Sequence, residues 1–350
     1  MPFRSSLARS AGKLLGVFKE ADLSLRGATQ SSREIIVKIA ATGGSTSTVG
    51  DKKVHKFIAD GNFIITAGSS LACEVFVVGG GGAGGGDSGG GGGAGAVVYG
   101  TSIPYGPGTY AVVVGDGGSG QPTYYTDPEA NFRASAGGEN STISHPSGTI
   151  TGGGGNAGGM TYPSAPPAYA QSPASDGNTG SLGSNGGSHV GSPGSPLAVP
   201  NAALTTPYPT PGTGTYNVYR NQGGSQNCTS QPNLWAGGGG GGAGGAGSPS
   251  SPTGVAGDGG DGYNASGNIP WIPASEGVSG YFAGGGGSGA PDNGSGGGGT
   301  GGSGGGGDGS DSPSDPGSAG TANSGGGGGG HDAFPSPGGG SGIVYVAYPV

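Results

Sequence analysis

"LACEVFVVGGGGAGGGDSGGGGGAGAVVYG", residues 71–100, decides the fold. It opens as a strand, with Leu71, Cys73, Val75 and Val77 facing one way and Ala72, Glu74, Phe76 and Val78 the other. It closes on a second apolar run from Val97 to Tyr99, and Gly79–Ala96 between them is almost bare main chain. A flexible spacer has no need of apolar walls at both ends. A folded glycine array does, because its outermost tracts must be anchored to something with side chains.

Working outward, the same alternation recurs. "REIIVKIAATGG" and "KKVHKFIADGNFIIT" read as strands, and Asp60-Gly61-Asn62 reads as the turn of a hairpin. Another strand is expected around Tyr110–Val114, after a turn rich in Pro and Gly, and "SGIVYVAYPV" supplies a last one at the C-terminal end. That last strand stands almost 230 residues beyond its predecessors. Its simplest use is to pair with them, since closing a long loop costs only about 0.6 kcal/mol per doubling of length.

Between these walls glycine tracts repeat at Gly79–Gly95, Gly152–Gly159, Gly237–Gly247, Gly284–Gly287, Gly296–Gly307 and Gly325–Gly330. The spacers separating them are irregular and hold much of the Pro, Tyr, Asn and Ser, as in "MTYPSAPPAYAQSPASDG" and "GYNASGNIPWIPASEGVSGYF". A polyglycine II helix has three residues per turn, so six residues span about 19 Å. With no side chain on any face it can exchange N–H···O=C bonds with neighbours in several directions. Each residue still loses about 1–2 kcal/mol of backbone entropy, so a lone tract is coil and only a stack is rigid.

The composition sets the boundaries. With 94 glycines, 27 prolines, 30% hydrophobic and 9% charged residues in 350, the composition predicts mostly backbone in place of a conventional oily core, without the self-repulsion of most disordered proteins. Ten of the 12 cations stand at or before Lys56 beside five acids up to Asp60, whereas the rest carries two cations against fifteen acids. So cation-poor a body argues against nucleic acid as partner. Cys73 and Cys228 make neither a disulfide framework nor a metal motif and read as buried small residues. No apolar run is long enough to span a membrane. Leu7, Ala11, Leu14, Leu15 and Phe18 place an apolar stripe on a short N-terminal helix ringed by Arg4, Arg9, Lys13 and Lys19. Such a helix attaches by docking or caps its own chain; its Arg- and Ser-rich, acid-poor start also has the composition of a transit peptide.

The expected fold is therefore mainly β and irregular: a small β-rich frame plus a packed polyglycine II sandwich with long loops. The divisions are an attachment segment at 1–50, a strand frame at 51–120, the sandwich at 121–340 and a closing strand at 341–350.

Catalytic strings are present without catalytic context. Gly86-Asp87-Ser88-Gly89-Gly90 spells the motif around the nucleophile of trypsin-like proteases, but it lies inside a glycine tract with no organised His and Asp partners. The GxGxxG strings follow from the glycine content alone. Asp308, Asp311 and Asp315 match no calcium-loop spacing, so a solvated acidic loop is expected and no metal or cofactor is assigned. The spacer aromatics are better binding candidates, because Tyr and Trp with Ser, Gly and Asn resemble the composition of recognition loops. These are Tyr162, Tyr169, Tyr208, Tyr216, Tyr219, Arg220, Trp271 and Tyr281; the alternative is that several pack on the edges of the array.

"HKFIADGNFIITAGSSLACEVFVVGGGGAGGG", "GGAGAVVYGTSIPYGPGTYAVVVGDGG" and the final "GGGSGIVYVAYPV" together resemble the glycine-rich domain of bacteriophage tail-fibre and appendage proteins. That domain is similar to the long-tail-fibre tip adhesins of T-even-like phages. The likeness runs from about Lys56 to Val350 and implies a polyglycine II sandwich whose loops touch the host. "FRSSLARSAGKLLG" and "DLSLRGATQSSR" depart from those adhesins and look like a virion-anchoring leader of marine phage structural proteins. The resemblance implies location on the virion, Leu7, Leu14, Leu15 and Phe18 as attachment residues, and other virion or tail-fibre proteins as partners. It further implies a bacterial outer-membrane protein or surface glycan as receptor, and is compatible with a homotrimer. A non-adhesive fibre or decoration protein is the alternative.

Overall fold

The computed structural model describes residues 40–67, 70–86, 88–120, 135–159, 214–226, 236–290, 296–310, 312, 314–331 and 335–350. Two antiparallel sheets face each other. In the five-stranded sheet the order is β1 (Ala40–Thr42), β4 (Gly61–Ala67), β7 (Gly108–Val113), β8 (Ser141–His145) and β9 (Gly148–Gly152). The six-stranded sheet runs β10 (Thr215–Tyr219), β6 (Val97–Tyr105), β5 (Leu71–Val78), β13 (Ile343–Pro349), β3 (Lys52–Phe57) and β2 (Ser45–Val49).

Alternation read from the sequence sorts the side chains correctly. Leu71, Cys73, Val75 and Val77 enter the core between the sheets, joined by Phe57, Phe63, Tyr105, Tyr110, Ile143 and Val346. Phe76 and Val78 face the opposite side. Aromatic edges lock the interior: Tyr105 meets Tyr110 at 4.6 Å and Phe63 at 6.0 Å between centroids, both nearly perpendicular. Cys73 is fully buried, and burial pushes its thiol up to about 12; Cys228 lies outside the described residues.

The expected pairing of the two ends is present. β13 inserts between β3 and β5, antiparallel to both, with Val344 opposite Phe57 on one side and Val77 on the other. The expected hairpin at Asp60-Gly61-Asn62 is not. β3 and β4 belong to different sheets, because His55 and Phe57 on one must face Phe63 on the other across the core. The segment between them turns a corner of the sandwich. The frame also reaches beyond the expected 51–120, taking in β2, the β8–β9 hairpin and β10.

A further departure concerns the spacer at 263–282. Its two short strands, β11 (Tyr263–Asn264) and β12 (Tyr281–Phe282), pair and flank the four-residue helix α1 (Ala265–Asn268), whose N-cap Asn264 accepts a bond from the Gly267 amide at 2.9 Å. This unit lies as a cap on the outer face of the six-stranded sheet, burying Ile269, Trp271, Ile272 and Phe282 against Phe76, Val78, Val97 and Tyr345. It is apolar enough to cover a sheet face, so it folds down instead of standing out as a loop. The expected N-terminal helix, with Leu7, Leu14, Leu15 and Phe18, lies outside the described residues.

Candidate functional site

Where the strands run out of side chains, the sandwich becomes a lattice. The pairing of Val78 with Val97 continues without a change of register into Gly79 N–H to Ala96 O, Gly82 to Gly93 and Gly85 to Gly90, at 2.8–3.1 Å. The pairing of β5 with β13 likewise continues as Gly81 to Gly340 and Gly84 to Pro337, at 2.9 and 3.0 Å. The third set of donors on the same tract goes to a neighbour outside that sheet: Gly80 to Glu139 and Ala83 to Ala136, at 2.9 and 3.0 Å. One tract thus serves three neighbours in rotation, the three-residue period of polyglycine II.

Side chains hold packed sheets about 10 Å apart, whereas hydrogen-bonded backbones lie under 5 Å apart. Beyond Val78 nothing keeps the layers separate, and tracts from the two sheets bond directly: Ala96 to Gly153, Gly93 to Asn156, Gly90 to Gly159. At most tract positions a Cβ would block this. At Gly82, Gly91, Gly240 and Gly285 an added methyl would strike a carbonyl oxygen of the adjoining tract. Ala83, Ala94, Ala96 and Ala157 mark sites within the tracts where a methyl fits, each at most 1% exposed.

Following tract directions gives the array two unlike ends. At the frame end the described connections are strands, short turns such as 243–245 and 303–305, and the cap at 263–282. Gly85, Gly90, Gly120, Ser135, Gly159, Gln226, Ala236, Ala290, Gly296, Ser310 and His331 all stand at the opposite end, roughly 20 Å of polyglycine helix away. We call this end the tip. The longest spacer leaves the lattice there, after Gly159, and returns on the frame at Gly214, just before β10.

The predicted binding residues divide accordingly. Tyr162, Tyr169 and Tyr208 lie outside the described residues, in the spacer that leaves from Gly159. The other five are not brought to the tip. Tyr216 sits opposite Gly100 on the outermost strand β10 and packs against the inter-sheet core. Tyr219 stacks on Tyr263 at 4.2 Å between centroids, and Arg220 follows it directly, partly buried. Trp271 is 3% exposed, and its Nε1 donates to Glu74 Oε2 at 2.6 Å. Tyr281 is half-buried, its hydroxyl accepting from Asn264 Nδ2 at 3.1 Å. Trp271 and Tyr219 thereby hold cap and frame together.

Sequence reasoning missed the carboxylates that make this attachment possible. Glu74 accepts from Tyr99 Oη at 2.5 Å and from Trp271, and pairs with Lys52 at 2.9 Å. Burial pushes its carboxyl up, but the three donors together outweigh that and leave it below the ordinary carboxylate range. Glu276, inside the cap, accepts from Lys56 at 2.5 Å and from Tyr345 Oη at 2.6 Å, and is lowered in the same way. The available signal was a lone acid in the apolar run of β5.

Ser88 of the protease-like string is 6% exposed in the turn that joins two tracts, with a φ of 54°; Asp87 lies outside the described residues. Among the others, Asp308 accepts from the Gly301 amide and Asp315 from that of Gly317, at 2.7 and 3.0 Å. No His, Cys, Asp or Glu cluster with metal-binding geometry occurs among the described residues.

Comparison with known families meets this geometry at residues 58–349, which match a glycine-rich domain. The chain belongs to that glycine-rich domain family. The match begins at the corner after β3 and ends within β13, so it takes in both the lattice and most of the frame that anchors it. No curated protein matches the chain.

Proposed function

We propose that this glycine-rich domain is the adhesin of a bacteriophage tail fibre or virion appendage, a structural protein without catalytic activity that displays loops from a rigid core to bind the bacterial host surface. The observation that carries this reading is that most spacers leave and rejoin the lattice at the tip, away from the frame, and that the longest one starts there, at Gly159, before returning on the frame at Gly214. A core of main chain does not depend on the side chains of its loops, so those can vary while the lattice stays unchanged. A rigid base also lowers the entropy lost when a loop engages its target. Tyr162, Tyr169 and Tyr208 are the aromatic contacts proposed for an outer-membrane protein or surface glycan. The segment with Leu7, Leu14, Leu15 and Phe18 joins other virion or tail-fibre proteins, and a homotrimer is compatible with such attachment.

The test is binding of the purified chain to receptor-bearing and receptor-lacking bacteria, with and without residues 161–212 replaced by a Gly-Ser linker of about 20 residues, long enough to run from the tip back to the start of β10. Host-dependent binding that disappears on replacement, while amide exchange of the tracts stays slow, is expected. Equal attachment to both cell types, or attachment indifferent to the replacement, would favour a non-adhesive fibre or decoration protein.

A further inference from the structure

A tract inside the lattice spends its donors on three neighbouring tracts; one at the surface has a direction with no neighbour. The tract 298–303 shows how that direction is closed. Gly299 and Gly302 donate inward, to Ser288 O and Gly285 O at 2.9 and 2.8 Å. The Thr300 amide donates to Asp258 Oδ1 at 2.8 Å, the Ser303 amide to Asp261 Oδ1 at 3.1 Å, and the Gly301 amide to Asp308 Oδ1 at 2.7 Å. Asp258 also accepts from the Thr300 hydroxyl at 2.9 Å.

The spacing is that of the helix itself. Asp258 and Asp261 stand three residues apart on the exposed side of tract 257–262, whose Gly259 and Gly262 amides bond Thr300 O and Ser303 O. Thr300 and Ser303 are three apart on the exposed side of theirs. Carboxylate oxygens therefore occupy acceptor positions at the repeat with which a further tract would present its carbonyls. An open row of amides at that repeat is to this lattice what an unpaired edge strand is to a sheet.

We propose that Asp258, Asp261 and Asp308 seal this side of the lattice, which without them takes up a second copy of the same chain. The occupant is a second copy because the freed row has the three-residue period of the chain's own tracts. The inference does not rest on the adhesin reading.

Two double variants of the full chain test it by sedimentation velocity across a range of concentrations. Asp258→Ala with Asp261→Ala removes both acceptors, and concentration-dependent growth to at least twice the parent mass is expected. Asp258→Asn with Asp261→Asn keeps an acceptor oxygen and loses only charge, so it should sediment as the parent does. The proposal is overturned if the Ala pair keeps the parent mass while its tract amides remain protected, or if the Asn pair associates as strongly, since charge repulsion would then be the seal. Should the Ala pair lose protection at Gly285 and Gly302, Asp308→Ala, which frees only the Gly301 amide, decides between the same two outcomes.

Discussion

Gly285→Ala tests the close packing of the lattice. The Gly285 amide donates to Gly260 O and its carbonyl accepts from Gly302, both at 2.8 Å, so the residue is held on two sides. A methyl there would be driven into Gly240 O, with the carbonyl carbon of Gly240 at 2.6 Å and that of Gly241 at 2.9 Å. The obstacle is backbone and has no rotamer to change. Tract 236–243 must then shift, weakening Gly240 to Gly286 and Ala243 to Ala283, each at 2.8 Å. Overpacking of this kind costs about 1–3 kcal/mol, and two weakened bonds add about 0.5–1.5 kcal/mol each. Lower entropy of the unfolded chain returns about 0.4–1 kcal/mol. The net loss, about 1–6 kcal/mol, is a large share of the roughly 5–15 kcal/mol that stabilises a typical domain. Gly106→Ala is the control, because a Cβ there meets nothing within 4 Å. Denaturant titration of both variants should show a lower midpoint for Gly285→Ala and one equal to or above the parent's for Gly106→Ala. Equal midpoints for parent and Gly285→Ala would refute close backbone packing as the reason for glycine.

Two further outcomes follow from the frame. Val346→Asp places an unpaired charge in the middle of β13, at a position with no solvent exposure, so β3 and β5 should lose their shared partner; hydrogen exchange should then accelerate in tracts 79–96 and 337–342, and undiminished protection there would show that the lattice stands without its closing strand. His55 is buried, its Nδ1 2.7 Å from Gly43 O, and burial holds its pKa below the ordinary histidine value despite that backbone bond. The unfolded chain therefore takes up a proton that the folded chain refuses, so stability should fall as pH drops through about 6.5; an unchanged pH slope in His55→Gln would assign that fall to other groups.

Much of this was legible because it is local. The alternation from Leu71 to Val78 assigned each side chain to its face, and the β pattern of Ile343–Tyr348 announced a partner far back in the chain. Glycine's role in the tracts was equally readable, since bare main chain between apolar walls can be ordered only by bonding to other main chain. The site was less so. Trp271 and Tyr281 have the composition of loop aromatics, and nothing in the spacer itself distinguishes a loop from a cap whose Trp finds Glu74 on a strand 197 residues away.

What the sequence determined alone was thus the kind of each piece: strands with two faces, tracts without any, and irregular spacers. Only the tertiary structure decided which piece met which. Two glycine tracts are chemically identical, so no side chain can select a neighbour. Selection comes from the strands at their feet, whose registers, Val78 with Val97 and Ile343 with Val78, are fixed by side-chain packing and handed on to the lattice one hydrogen bond at a time.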